Sequence, residues 1–272
     1  GSIGTGLPLS IEVFLLLLRA VGLPFVVLST TSLILQSWLA TSSEPQKDNP
    51  YVLYSASNLG SMLALLTYPV MVEPFLGLAM QGYVWWGGYG VLVALHLASL
   101  PARSALSGLP AGESPARIDG DPRVAASRVW SWFVLSVAGC AVLLAVTNAM
   151  TLDIAPVPLL WVLPLSVYLL SFVVTFKRQV YYPSWVRSLL PWALLVGVLL
   201  HLMGQLRLSL PAWLSILLHL LILFCACMNC SGRLILAKPG NPRHLTLFYL
   251  VMAVGGLVGS GVGSWIFPLV SS

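Results

Sequence analysis

Residues 129–150 read VWSWFVLSVAGCAVLLAVTNAM, twenty-two positions without one charged side chain. At about 1.5 Å of rise per residue, a helix of that length crosses the roughly 30 Å hydrocarbon core of a bilayer. The run does not alternate apolar and polar residues, as a barrel strand of about ten residues would. Lipid offers the backbone no hydrogen bonds, so only helices and closed barrels can span it. This stretch therefore reads as a transmembrane helix. Working outward, seven more stretches repeat the reading: Ser10–Leu39, Tyr51–Val72, Gln81–Leu100, Val157–Phe176, Val186–Met203, Pro211–Cys230 and Leu245–Leu269. The expected fold is an all-α integral membrane protein, a polytopic bundle of about eight transmembrane helices.

Composition agrees. Of 272 residues, 58% are hydrophobic and 8% charged, against about 25% charged in a soluble domain. Too few polar residues exist to cover a water-facing surface, so the expected partner is the lipid bilayer. The net charge is +5, but no basic run with interleaved aromatics occurs, which excludes nucleic acid as a partner. Cys140, Cys225, Cys227 and Cys230 all fall inside apolar segments, so no disulfide framework is expected. The chain opens on Gly1 rather than Met, which reads as a processed or truncated end.

One long polar segment, 101–128, interrupts the helices. It divides a first helical bundle of three transmembrane helices (1–100) from a second bundle of five (129–272). If the 101–128 linker is cytoplasmic, then Lys47, Arg103, Arg117, Arg123, Arg128, Lys177, Arg178, Arg187, Arg233, Lys238 and Arg243 are all cytoplasmic. That is eleven of the thirteen basic residues, leaving Arg19 and Arg207 elsewhere. Such a bias sets the orientation of a multi-pass protein. A faint repeat adds to this: Gly60-Ser61 with Tyr68-Pro69 in the second stretch, Gly259-Ser260 with Phe267-Pro268 in the eighth. The pattern suggests paired halves, as in transporters built from repeats.

Several segments together resemble one family. They are Val21-Gly22-Leu23-Pro24-Phe25, Leu28-Ser29-Thr30-Thr31-Ser32, Leu35-Gln36, Tyr51, Leu53-Tyr54, Ala56-Ser57-Asn58-Leu59-Gly60-Ser61, Tyr68-Pro69 and Glu73-Pro74. In the second half they are Thr147-Asn148, Asp153, Pro158, Leu160-Trp161-Val162-Leu163-Pro164, Tyr168-Leu169, Cys227-Met228-Asn229-Cys230 and His244-Leu245-Thr246 with Phe248-Tyr249-Leu250. The chain thereby resembles bacterial membrane proteins in which a transporter-like helical domain precedes a spermidine synthase-like domain. The resemblance implies a partial major-facilitator-like 6+6 arrangement, entered at about the fourth helix and left at about the eleventh. It also implies residence in the bacterial inner membrane. The Gly-rich turn and acidic residues of the synthase half are missing, so catalytic residues are expected to be none, with no metal and no cofactor. Where the family continues its cysteine helix with His and Glu, this chain has Ser231-Gly232-Arg233.

Intramembrane polar residues are the natural candidates for a site, because hydrocarbon penalises them unless a partner compensates. Ser57, Asn58 and Ser61 share the second stretch, with Ser57, Gly60, Ser61 and Ala64 on one face. They read either as a cavity lining or as a close-packing face. Asn148, with Thr147 and Asp153, is the polar cluster of the second half, which Trp161, Pro164 and Tyr168 can approach from the next helix. Ser29, Thr30, Thr31, Ser32 and Gln36 form either a polar path or a repair for the hydrogen bonds that Pro24 leaves open. Glu12, Glu73 and Asp153 near external helix ends can collect a cation or simply sit among headgroups. Arg19 reads as snorkelling or paired with Glu12. Cys225, Cys227, Cys230 and His219 share one helix at spacings that scatter around its axis, which suits packing better than zinc.

Ligand-binding expectations thus rest on Ser57, Asn58, Ser61, Asn148, Asp153 and Tyr168. The functional expectation is a transporter-like membrane domain without catalysis of its own, handling a small cationic solute. Two alternatives stand beside it: a structural subunit among other membrane proteins, and an anchor for an aminopropyltransferase-type enzyme.

Overall fold

A computed structural model describes residues 9–41, 49–107, 124–153, 158–206, 208, 210–239 and 244–271. All regular structure among them is helical. The helices are α1 (Leu9–Thr41), α2 (Tyr51–Thr67), α3 (Leu78–Ser107), α4 (Ala126–Asp153), α5 (Pro158–Thr175), α6 (Ser184–Gln205), α7 (Ala212–Leu236) and α8 (Leu245–Ser271). They occupy the eight expected stretches. Among the described residues four segments are long and apolar enough to cross a membrane: Ala126–Thr151, Ser184–Gln205, Ala212–Leu236 and Leu245–Ser264. A fifth is added if the two arms of α1, Ile11–Arg19 and Pro24–Gln36, form one span bent by 60°. The bend falls where Pro24 lacks the N–H that would bond four residues back.

Helix continues beyond the expected boundaries at both ends of the polar segment. α3 runs on to Ser107, through good helix formers such as Ala102, Arg103, Ala105 and Leu106, and α4 starts at Ala126. The rest of the expected linker, 108–123, lies outside the described residues.

The chain forms two compact units, Gly1–Met62 with Ala126–Ser272, and Leu63–Ala125. In the smaller one, α2 ends in a π-helical turn, Tyr68–Val72, closed by the Glu73 N–H on the Tyr68 carbonyl at 2.9 Å. Pro69 near its start explains the local widening, because it has no donor to keep the α pattern. Tyr68 then donates to Gln81 at 3.0 Å, and Gln81 donates to the Leu76 carbonyl at 2.8 Å, stapling the turn to the start of α3.

In the larger unit α8 packs most extensively on α4, while α7 touches α4, α5 and α6. The α4–α8 seam is made by glycine. Gly255, Gly259 and Gly263 recur every four residues and so share one face. A Cβ at Gly255 would lie 2.8 Å from Ser136 Cβ, one at Gly259 2.3 Å from the Val137 carbonyl, and one at Gly263 2.9 Å from Leu144 Cβ. The two backbones therefore approach as only bare Cα atoms permit, the packing that replaces the hydrophobic effect where the surroundings are as apolar as the core. A buried aromatic core closes one end of the unit. Trp132, Phe176 and Phe248 are fully buried, and Trp132 meets Phe248 edge-on at 5.1 Å.

The outer surface is apolar. On α6, which packs on α7, the exposed residues include Leu189, Trp192, Leu194, Leu195, Val198 and Leu199. Exposed apolar surface on that scale fits lipid and not water.

Candidate functional site

A cavity of about 490 Å³ lies within the larger unit, lined from α1, α2, α4, α5 and α8. Its walls are of two kinds. Four rings run in sequence around it: Tyr249 to Tyr54 at 5.2 Å, Tyr54 to Phe172 at 5.6 Å, and Phe172 to Tyr168 at 5.1 Å. Between them stand Ser29, Thr30, Ser32, Gln36, Ser136 and Thr246. Among the described residues no charged side chain contributes to the lining.

The hydrogen bonds of these groups point away from the cavity. Ser29 donates to the Val26 carbonyl at 3.1 Å, Thr30 to the same carbonyl at 2.8 Å, and Ser136 to the Trp132 carbonyl at 2.9 Å. Each hydroxyl spends its one proton on its own helix and keeps lone pairs free. Gln36, fully buried, accepts from the Tyr249 hydroxyl and donates to Ser32 Oγ at 3.0 Å. Tyr168 pairs with Cys140 at 3.3 Å. The lining thus sets acceptor lone pairs of Ser29, Thr30 and Ser136 beside four aromatic side chains.

The residues expected at a site are distributed unevenly around it. Tyr168 lines the cavity, and so do Ser29, Thr30, Ser32 and Gln36 from the run after Pro24. The hydroxyls of that run bond to Val26 and Val27, not to the Ala20 carbonyl that Pro24 leaves open. Asn58 donates to the Tyr54 carbonyl one turn back at 2.7 Å, while Ser57 and Ser61 are exposed on α2; none of the three is in the lining. Asn148 is half-buried on α4, also outside it. Trp161 reaches the cluster's neighbourhood by donating to Thr151 at 3.2 Å. Asp153 ends α4, and its side chain lies outside the described residues. Glu12 is half-buried in the first turn of α1, Arg19 is exposed on the same helix, and Glu73 is exposed after the π turn.

Among the described residues no group of three or more His, Cys, Asp or Glu side chains can hold a metal ion. Cys225 and Cys227 are buried and Cys230 partly so, all as free thiols, and His219 is bonded to the Ser215 carbonyl at 2.8 Å. Tyr54, Phe172 and Tyr249 escaped the sequence reading as site residues. In a chain with 28 aromatic residues (ten Trp, nine Tyr, nine Phe) no spacing distinguishes the rings that face a cavity from those that face lipid.

At one end of the larger unit the chain connections are tied together. Tyr51 donates to the Pro239 carbonyl at 3.1 Å, Trp132 to the Ala237 carbonyl at 2.8 Å, Lys238 to Asn49 at 3.2 Å, and Asn49 to the Arg178 carbonyl at 3.4 Å. The starts of α2 and α4 and the ends of α5 and α7 therefore share this end, and with them Lys177, Arg178 and Lys238. Burial lowers the Lys238 pKa below the usual lysine range. Comparison of the chain with protein-family models, with curated proteins and with solved structures returned no match.

Proposed function

We propose that this chain is a transporter-like, membrane-embedded domain of the spermidine synthase-like family, catalytically inert by itself, whose cavity binds a small organic cation. In this reading all eight helices lie in a bacterial inner membrane in a partial major-facilitator-like arrangement, with the basic end cytoplasmic. The cavity carries the proposal: the Ser29, Thr30 and Ser136 hydroxyls donate to carbonyls of their own helices, and four aromatic side chains contribute to the lining. A ligand there must bring its own donors or positive charge. Because no carboxylate lines the wall, a small, strongly hydrated ion would lose more in desolvation than neutral groups return. An ammonium with an apolar body loses less hydration and gains cation–π contacts, up to about 2 kcal/mol each when desolvated.

Titration calorimetry on the purified chain tests this, using tetramethylammonium, n-butylammonium and the neutral isostere tert-butanol. We expect at least about ten-fold preference for a cation, and its loss in Tyr54→Leu and Tyr249→Leu. Equal binding of the isostere, or no binding of any of the three, would reject the proposal. Uptake of the bound cation into proteoliposomes then separates movement from mere binding.

The structural-subunit alternative keeps one specific support. The α2 face carrying Ser57, Gly60 and Ser61 is exposed, and a Cβ placed on Gly60 would meet nothing within 4 Å. A face built for close approach that has no described neighbour suits another membrane helix. Gentle purification from native membrane, followed by mass determination of what accompanies the chain, distinguishes a stoichiometric partner from none.

A further inference from the structure

The turn between α5 and α6 carries a second arrangement, which the cavity does not use. Tyr182 donates to Asn229 Oδ1 at 2.8 Å, and Asn229, only 4% exposed, donates in turn to the carbonyls of Val186 at 3.0 Å and Cys225 at 2.8 Å. The ring of Tyr182 lies on the bare Cα of Gly232, where a Cβ would come within 2.4 Å of it. One buried amide therefore locks the α5–α6 turn onto α7. Arg187 holds its guanidinium carbon 5.7 Å from the centre of the locked ring, and Arg233 follows Gly232 in sequence. Both are exposed. The neighbouring Tyr181 carries Lys177 Nζ at 4.9 Å over its own ring.

We propose that this basic and aromatic notch holds the phosphate of an anionic phospholipid in the leaflet that this end of the bundle faces. Three observations converge on it. Arg187 and Arg233 make no ion pair with a described residue, and the only carboxylates whose side chains are described, Glu12 and Glu73, belong to α1 and to the segment after the π turn. Among the described residues no carboxylate neutralises their charge. Guanidinium groups offer planar forked donors that match phosphate oxygens, and the ring contact holds one fork in place beforehand. Finally, the face of α6 that bears Arg187 continues through Pro191, Leu194 and Val198, all exposed and all at helical spacing. An anionic head with an acyl chain beneath it satisfies both halves of that face; a soluble phosphate satisfies only the first. The inference stands apart from the cavity and needs only that the helices lie in lipid.

Native mass spectrometry of the intact chain, titrated with phosphatidylglycerol or phosphatidylcholine, is the test. Phosphatidylglycerol should bind more tightly, and Arg187→Gln and Arg233→Gln should each weaken it about five-fold while leaving phosphatidylcholine unchanged. Arg128→Gln removes an equal charge elsewhere and should alter neither. Gly232→Ala keeps every arginine but displaces Tyr182, and should weaken phosphatidylglycerol as well. Should Arg187→Gln fail to fold, Arg187→Lys keeps the charge and loses the fork; partial weakening supports the notch and unchanged affinity overturns it. The proposal also falls if both lipids bind alike, if Arg128→Gln weakens binding as much as the others, or if glycerol 3-phosphate competes as well as the lipid.

Discussion

α8 and α2 both present small residues at intervals of three and four, yet one face is filled and the other open. Gly255, Gly259 and Gly263 bring α8 onto the backbone of α4, whereas the face of α2 with Ser57, Gly60 and Ser61 is exposed. A small-residue stripe states that a close approach is possible; it does not state that the partner is present. In water the hydrophobic effect would penalise the open face, but in lipid a bare helix face costs little, so the two states can coexist in one chain. The faint repeat that links Gly60-Ser61 to Gly259-Ser260 is a likeness of pattern between helices whose surroundings differ.

The comparison is broken most directly by filling the glycines. Gly259→Val drives a side chain into the Val137 carbonyl and should cost about 3 kcal/mol, at the upper end of overpacking penalties. The same change at Gly60 should leave stability nearly untouched. Unfolding midpoints in a denaturing-detergent titration decide it, and equal losses would mean that α2 is packed as tightly as α8.

Next in size is Asn229→Ala. It strands the Tyr182 hydroxyl, takes a second donor from two helical carbonyls and should destabilise by about 2 kcal/mol, with faster proteolysis of the α5–α6 turn as its local sign. Asn58→Ala, by contrast, removes an amide that serves only its own helix, and should cost less than about 0.5 kcal/mol. Two asparagines in apolar helices would then differ several-fold in cost, as the two glycine faces do.

Gly60→Ala sharpens the contrast in the opposite direction. With nothing near the new methyl and a better helix former in place, stability should rise by up to about 1 kcal/mol. A loss instead would reveal a neighbour on that face.

The smallest effect concerns the point where the two helices begin side by side, Tyr51 of α2 bonded to the Pro239 carbonyl just before α8. Lys238, whose Nζ lies 4.8 Å over the Tyr51 ring, has its pKa lowered by burial. The folded chain then holds fewer protons than the unfolded one between that lowered value and the ordinary lysine value of about 10.4. Stability should therefore rise with pH across this window and be flat, at the penalised level, below it. Lys238→Met should abolish the slope, and a slope that survives belongs to another group.

Helix positions were legible because long apolar runs without alternation are broken by polar, Pro and Gly segments; Tyr51–Val72 reads as a single stretch, and the structure ends it with a π turn at Pro69. Facing was not legible. Ser29 and Gln36 turn toward a cavity, but the same hydroxyl-rich run would read alike if it faced a packed neighbour. Asn229 shows the limit from the other side. It sits between two cysteines that invite thoughts of metal, yet its role depends on Tyr182, forty-seven residues earlier, which no local pattern connects to it. Gly232 lies in the Ser231-Gly232-Arg233 run of the cysteine helix, and a bare Cα there is what lets that tyrosine dock.

The Gln36–Tyr249 hydrogen bond joins residues 213 positions apart, almost the whole chain. Contacts of that span must await closure of the longest loops and form slowly. During synthesis the hydroxyls of α1 emerge long before the ring that completes their enclosure. Until α8 arrives, the cavity lacks its Thr246, Tyr249 and Gly256 wall, and Gln36 must find another partner for its amide oxygen. α8 is thus the helix that completes the wall begun by α1, and any delay in its arrival leaves the polar face of α1 uncovered.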